Sequence, residues 1–327
     1  MREAPERGAA PRRGVALICT FALAAGFTFA GLALSAPLFW PGELAVSFAW
    51  QAGWSICGLG ALFFALRRPR RALVALLLAL GLIVPELRLW LPAAGTGDLQ
   101  EGETELRVAA LNLYFFNEDD QGVRLWLEAH NPDVVVCVEL SPFWRSTLDD
   151  WRDLYPERLI SPGAEDWGEL RFGTAVLAKQ PFLRSGLVDA PYGHPLLEAV
   201  LEVSGQELTV RGAHPLYPGS PWLRHKRDAV LETLAAQPWD DHGILAGDLN
   251  VTSTSPAFRS LLAESGLVDS RQGFGRQPTY RLYGLSLAID HVLVGEALRV
   301  LERRTTPLVG SDHRAVLVRL AVPAGSG

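Results

Sequence analysis

Covalent staples are scarce in this 327-residue chain: cysteine occurs only at positions 19, 57 and 137. Three cysteines exclude a disulfide scaffold. Cys19 and Cys57 lie in apolar runs and Cys137 in a valine-rich segment, so all three read as buried thiols. Internal repeats and low-complexity tracts are missing, and the composition excludes a disordered or fibrous chain. Charge is missing from two long stretches, Val15 to Gly42 and Leu44 to Leu66. A basic excess is missing from the larger part of the chain. Residues 1–91 hold nine arginines against four acids, a balance of +5, whereas residues 92–327 hold 21 basic and 32 acidic residues, a balance of −11. That acidic remainder argues against a broad basic face for nucleic acid.

A membrane-spanning helix needs about 20 apolar residues. The two uncharged runs reach that length. A third run, Ala72 to Val84, reaches it through Pro85, Glu86 and Arg88 to Leu91 if those charges and Trp90 lie at the far interface. Pro37 to Glu43 reads as a tight turn between the first two runs. A signal peptide would explain Arg12, Arg13 and the first run, but not two further runs. Arginine clusters at positions 2, 7, 12 and 13 and at 67, 68, 70 and 71 share one side of a three-span arrangement, and the first loop has none. By the positive-inside rule both clusters are cytoplasmic, which leaves residue 92 onward outside. The expected organisation is a cytoplasmic tail (1–13), an anchor of three transmembrane α-helices (14–91), a Pro/Gly/Ala-containing linker (92–104), a soluble domain (105–322) and a short tail (323–327).

The soluble part alternates strands and helices. Leu106–Leu113, Thr174–Leu177, Leu196–Val203, Glu207–Ala213, Ile244–Ala246, Leu287–Val294 and Ala315–Leu320 read as strands. Val134–Val138 is continuously apolar, as in a strand buried on both faces. Ser204-Gly205-Gln206 joins two of the strands in a hairpin. Val123–Ala129, Leu223–Ala236 and the segment after Ser255-Pro256 read as helices. Strands, hairpins and helices in this mixture predict an α+β sandwich, with two sheets inside and helices outside.

Polar residues stand where the apolar strands end. Asn112, Glu139, His214, Asp248 with Asn250, Asp290 with His291, and Asp312 with His313 occupy six such ends. A charged group beside a buried run is costly unless it is paired or used. One such end means little; six offering carboxylate, carboxamide or imidazole point to a site. Asp248 and Asn250, two apart, face the same side of an extended backbone. The inventory suits a hard divalent cation with oxygen ligands, Mg2+ with Mn2+ as the alternative. Zinc would want a His/Cys triplet, and the seven histidines are scattered singly.

Leu111-Asn112-Leu113, Val138-Glu139-Leu140, Ala213-His214, Gly247-Asp248-Leu249-Asn250, Ile289-Asp290-His291-Val292 and Gly310-Ser311-Asp312-His313 come in an order that resembles the endonuclease/exonuclease/phosphatase superfamily. The resemblance covers about residues 105–322 and implies a four-layer α/β-sandwich. It implies Glu139 as the main Mg2+ ligand, with Asn112 and Asp312 near the same ion. Asp248 then orients or deprotonates the attacking water, and Asn250 and His214 contact the scissile phosphate. His313 stabilises developing charge or the leaving oxygen, and Asp290 holds its imidazole; a surface pair or a pairing with His291 are the plainer readings of Asp290. The chain departs from the family at Val138, where Gln is frequent, and at Thr174, where many members have Asn. His130, His194, His225 and His242 match no motif. Tyr217, Trp222, Arg224, Lys226 and Arg227 either line a substrate groove or form a solvated helix face.

Three spans before such a domain resemble the bacterial membrane-anchored branch linked to glycopeptide antibiotic resistance. That resemblance implies a phosphatase acting on a lipid-linked pyrophosphate outside the cytoplasmic membrane, with the bilayer and a phosphorylated substrate as partners and no obligate protein partner. An anchor raises the effective concentration of a lipid headgroup at the site. The rival readings are an extracytoplasmic nuclease or phospholipid phosphodiesterase with the same site, and a non-catalytic membrane sensor or scaffold.

Overall fold

A computed structural model describes residues 9–92, 97–161, 172–194 and 196–325. The first eight residues of the expected tail, residues 93–96 of the expected linker and the last two residues lie outside the described set. The chain divides into two compact units, Met1–Leu87 with Thr254–Pro256, and Arg88–Ser253 with Ala257–Gly327.

The first unit holds α1 (Ala9–Leu34), α2 (Trp40–Ser47), α3 (Ala49–Ala65) and α4 (Pro69–Leu87). Two segments, Gly14–Leu34 and Pro69–Trp90, are long and apolar enough to cross a membrane. The second apolar run is not one straight helix, as its lack of charge suggested. It is the pair α2 and α3, bent by 65°, and counts as a third span only if the bent pair crosses as one. The break falls at Phe48, whose φ of −106° and ψ of 12° lie outside the helical region. Pro37–Glu43 is likewise not all turn: helix begins at Trp40, with Pro41 in its first turn, where a missing N–H costs nothing. Cys19 and Cys137 are buried as expected, while Cys57 is only partly covered.

The second unit opens with β1 (Glu103–Asn112), α5 (Asp120–His130), β2 (Val134–Leu140), α6 (Pro142–Asp150), β3 (Glu157–Ile160) and β4 (Gly173–Ala178). There follow β5 (Phe182–Val188), β6 (Leu196–Val203), β7 (Gln206–Gly212), α7 (Pro221–Ala236), β8 (Ile244–Asp248) and α8 (Pro256–Ser265). It closes with β9 (Val268–Asp269), β10 (Tyr280–Leu282), β11 (Leu285–Leu287), β12 (Asp290–Val294), β13 (Arg299–Pro307) and β14 (Arg314–Pro323). One six-stranded sheet has the order β13-β14-β1-β2-β4-β3 and the other β5-β6-β7-β8-β12-β9. Each has one parallel pair at its centre, β1 with β2 and β7 with β8, flanked by antiparallel strands.

Alternation along β2 explains the layering. Val134, Val136 and Val138 join a core that also takes Leu197, Val210 and Ala246 from the other sheet. Val135 and Cys137 point the other way, to Trp126 and Leu127 of α5 and Trp144 of α6. The outer face of the second sheet packs likewise on Val230 and Leu234 of α7 and Phe258 of α8. Helices, sheet, sheet and helices make the four-layer sandwich. The expected strand Leu287–Val294 divides, because Leu285–Leu287 pairs with β10 as a separate hairpin and β12 starts afresh at Asp290.

Candidate active site

The symmetric sheet order puts the ends of six central strands together. β1, β2, β7 and β8 deliver Asn112, Glu139, His214 and Asp248 at or just past their carboxyl ends. The antiparallel neighbours β12 and β14 start at the same edge, so Asp290 opens β12 and His313 immediately precedes β14.

Two of these residues sit on unusual backbone. Glu139 has φ of 60°, at a register shift between Val138 and Leu140 where β2 meets β4. The bulge re-aims the carboxylate out of the buried ladder, a use of bulges common beside active sites. Asn250 has φ of 50°, and its N–H donates to Asp248 Oδ1 at 2.9 Å. Before them, Gly247 has φ of 138°, and a Cβ there would meet Ala213 O at 2.1 Å. Only glycine lets β7 and β8 approach so closely just ahead of Asp248.

Asn112 Nδ2 donates to Glu139 Oε1 at 2.8 Å and to Asp248 Oδ2 at 3.2 Å. Its Oδ1 accepts the Tyr114 N–H at 2.9 Å, so Asn112 presents its amide nitrogen to the two carboxylates here. The Phe115 N–H donates to Glu139 Oε2 at 3.2 Å. His214 Nε2 lies 3.8 Å from Glu139 Oε1 and 3.7 Å from Asp248 Oδ2. Asn250 Nδ2 donates to Pro215 O at 2.9 Å and lies 3.3 Å from His214 Nε2.

Across the cluster, His313 Nδ1 meets Asp290 Oδ2 at 2.8 Å, and His313 Nε2 is 3.8 Å from Asp248 Oδ2. Asp290 therefore faces His313 rather than the adjacent His291, whose Nε2 contacts Val251 O at 2.8 Å. Asp312 is exposed beside His313 and belongs to neither of two ligand-like groups, Glu139–His214–Asp248 and Asp248–Asp290–His313. Within each group the ligand atoms all lie within 4.8 Å of one another.

The two imidazoles differ in charge. Burial, helped by the charge of His313, pushes His214 down to about 4, so it is neutral at pH 7. Burial also opposes charge on His313, but the carboxylates of Asp290, Asp248 and Asp312 outweigh it and bring the group up to about 10. Burial and then the charge of Asp290, directly across the β8–β12 ladder, raise Asp248 well above the usual carboxylate range. Buried carboxylates thus outnumber the one imidazolium. Glu139 and Asp248 together, both oxygen donors, fit a hard divalent cation.

Sequence reasoning passed over several residues that build this site. Ser311 Oγ donates to Asn112 O at 2.7 Å and accepts the His313 N–H at 3.0 Å. His194, which matched no motif, places Nε2 2.6 Å from His214 O. Of the segment after His214, Tyr217 and Trp222 are exposed, but Lys226 and Arg227 are buried. Lys226 Nζ sits 3.7 Å from the Trp222 ring centre, and Arg227 Nη1 donates to Asn250 O at 3.1 Å. The sequence names both, as groove lining or a solvated helix face, and their burial excludes the solvated face.

Comparison with known proteins gives the same picture. No curated protein matches the chain. The endonuclease/exonuclease/phosphatase from Beutenbergia cavernae DSM 12333 superposes with a TM-score of 0.57 at 20% identity, covering 68% of this chain and 72% of that one. A family protein from Leptotrichia buccalis C-1013-b gives a TM-score of 0.52 at 14% identity, covering 66% of this chain and 99% of that one. D. rerio TDP2 complexed with single strand DNA product gives 0.51 at 19% identity, with 66% and 99% covered. At such identities these structures speak for the fold alone. The Endonuclease/Exonuclease/phosphatase family itself matches residues 109–313, a span that starts in β1 and ends on His313. With well over half its length inside that match, the chain belongs to this family of phosphoester hydrolases.

Proposed function

We propose that this chain is a membrane-anchored, Mg2+-dependent phosphoesterase that hydrolyses a lipid-linked pyrophosphate outside the cytoplasmic membrane. The observation that carries the hydrolytic reading is the buried Asp290–His313 pair facing Asp248 across the site. Asp248, whose Oδ2 lies 3.7 Å from His214 Nε2 and 3.8 Å from His313 Nε2, orients or deprotonates the attacking water. Asn250 and neutral His214 hold the scissile phosphate through amide and imidazole N–H groups. His313, kept cationic and in one tautomer by Asp290, stabilises charge on the leaving oxygen. Glu139 would be the main ligand of the divalent ion, with Asn112 and Asp312 beside it; the chemistry such an ion supplies is neutralisation of phosphate charge.

The catalytic domain is residues 105–322, held by the anchor 14–91 and the linker 92–104. The arginine clusters support the bent pair α2–α3 as a true crossing. With only two spans, Arg67, Arg68, Arg70 and Arg71 would lie outside and violate the positive-inside rule; with three, both clusters are cytoplasmic and the active site is extracytoplasmic. The membrane and the acidic soluble part both favour a phosphorylated lipid over duplex nucleic acid. The test is a substrate panel on the full-length protein in detergent: an isoprenyl pyrophosphate, a phospholipid and DNA, each with Mg2+ and with chelator. Phosphate release from the pyrophosphate, lost on chelation, is expected. Cleavage of DNA or phospholipid with the pyrophosphate untouched would overturn the substrate, and full turnover in chelator would overturn the metal.

A further inference from the structure

Thr279, in the loop before β10, is 1% exposed and uses its side chain and both backbone polar groups. Its hydroxyl oxygen accepts two backbone N–H groups at once, from Ile289 and Asp290, each at 3.2 Å. Its N–H donates to Leu287 O at 2.8 Å, and its carbonyl accepts the Arg314 N–H at 2.7 Å. One residue thus ties the start of β12, where Asp290 stands, to the start of β14, one residue past His313. The next residue completes the clasp. Tyr280 forms an isolated β-bridge with His313, and its ring lies 4.8 Å from the imidazole, inclined by 33°. His313 is therefore held on two sides, by the Asp290 carboxylate at Nδ1 and by the Tyr280 ring across its face. Nothing in the family reading of the site gives either residue a role, yet together they touch both members of the catalytic pair.

We propose that Thr279 and Tyr280 are positioning residues for the Asp290–His313 pair: Thr279 fixes where the Asp290 backbone begins its strand, and Tyr280 fixes the plane of the imidazole. The proposal rests on the phosphoesterase reading, and its test has one arm that does not. Thr279→Val keeps shape and removes the shared acceptor. With the full-length protein in detergent, Mg2+ and bis(p-nitrophenyl) phosphate, kcat falls by about 10–100-fold with KM within about threefold, as expected of a small misplacement of a reacting group. Thr279→Ser rescues kcat, because its hydroxyl can accept both N–H groups. Tyr280→Leu reproduces the loss, and Tyr280→Phe, which keeps the ring, does so far less. In a His313→Ala background Thr279→Val costs no more than about twofold, because residues acting as a unit are not additive.

The second arm is the downfield proton resonance of His313 Nδ1–H, hydrogen-bonded to Asp290. It shifts or broadens in Thr279→Val and Tyr280→Leu and returns in Thr279→Ser and Tyr280→Phe. A variant that loses melting temperature while kcat and the resonance stay put overturns the proposal. So does a Thr279→Val loss that is undiminished in the His313→Ala background. If the wild type hydrolyses no probe with any divalent ion, the phosphoesterase reading fails, and the resonance alone decides the clasp.

Discussion

The two units of this chain invert each other's packing. In the helical unit the covered positions are often small: Ala16, Ala30, Ala33, Ala49, Gly53, Gly60, Ala75 and Ala79 are buried. Many of its large side chains face outward, with Ile18 69%, Phe21 68% and Phe64 74% exposed, though Leu23, Ile56, Phe63 and Ile83 are buried between the helices. In the sandwich unit the branched aliphatics of two sheets close on one another. The difference follows from the surroundings each unit suits. In water, burying a Val or Leu side chain is worth about 1.5–3 kcal/mol. Among lipid tails that gain vanishes, and helices associate by close approach of small residues. Gly53 makes the point: a Cβ there would come within 2.5 Å of Ile83 Cγ1 on the neighbouring helix.

Four experiments press on this contrast and on the site. The largest effect is expected from Glu139→Gln, which should lower turnover by ~10³-fold or more, beyond the worth of one hydrogen-bond donor, with the far-UV spectrum unchanged. An equal loss from an outward-facing anchor change such as Phe21→Ala would break the separation of roles between the units. Next comes the Asp290–His313 pair. Asp290→Asn or His313→Ala should each cost about 10²–10⁴-fold in kcat, and the double variant little more. Strict additivity in that cycle, or an Asp290→Asn variant that melts early but turns over normally, would remove the pairing while leaving the metal site standing.

Packing changes come third. Leu201→Ala, at a fully buried position between the sheets, should destabilise the sandwich by about 2–5 kcal/mol in urea. Gly53→Leu should cost the helical unit about 1–3 kcal/mol by overpacking, while Phe21→Ala changes its stability in detergent hardly at all. A Phe21→Ala loss as large as that of Leu201→Ala would mean the helices are packed like a water-soluble core.

The smallest effect is a pH dependence carried by His291. Burial, with the Arg271 charge second, depresses its imidazole to about 3, against about 6.5 in an unfolded chain. The folded state therefore favours the neutral ring. Its contribution is complete above about pH 6.5 and is lost as pH falls through that window toward about 3, at no more than about 1.4 kcal/mol per pH unit. Urea midpoints measured at pH 7, 5.5 and 4.5 should fall, and should fall less in His291→Phe. An unchanged slope would place the acid sensitivity elsewhere.

Much of the sandwich was legible because its signals are strong. The valine run of β2 has no polar interruption, so burial on both faces followed, and each candidate site residue stood out as a polar group at one end of an apolar run. The hairpin β6–β7 was announced by Ser204-Gly205. What stayed hidden was local. Hydropathy does not register a single non-helical residue at Phe48, so a bent pair read as one run. The short β9, β10 and β11 lack enough residues for a period of two. Thr279 and Ser311 look like ordinary loop formers, and only the fold reveals that their hydroxyls each serve two partners. Lys226 and Arg227 read as either groove lining or a solvated face; rings at Trp222 and Tyr192 and the carbonyl of Asn250 take them inside.

Glu139 holds a left-handed backbone conformation that an L-residue adopts only at a cost of order 1–3 kcal/mol. The protein is thus spring-loaded at its most polar point. Removing the side chain altogether, as in Glu139→Gly, should abolish activity and yet raise the melting temperature of the sandwich. A screen that selects only for thermal robustness would drift toward such dead molecules.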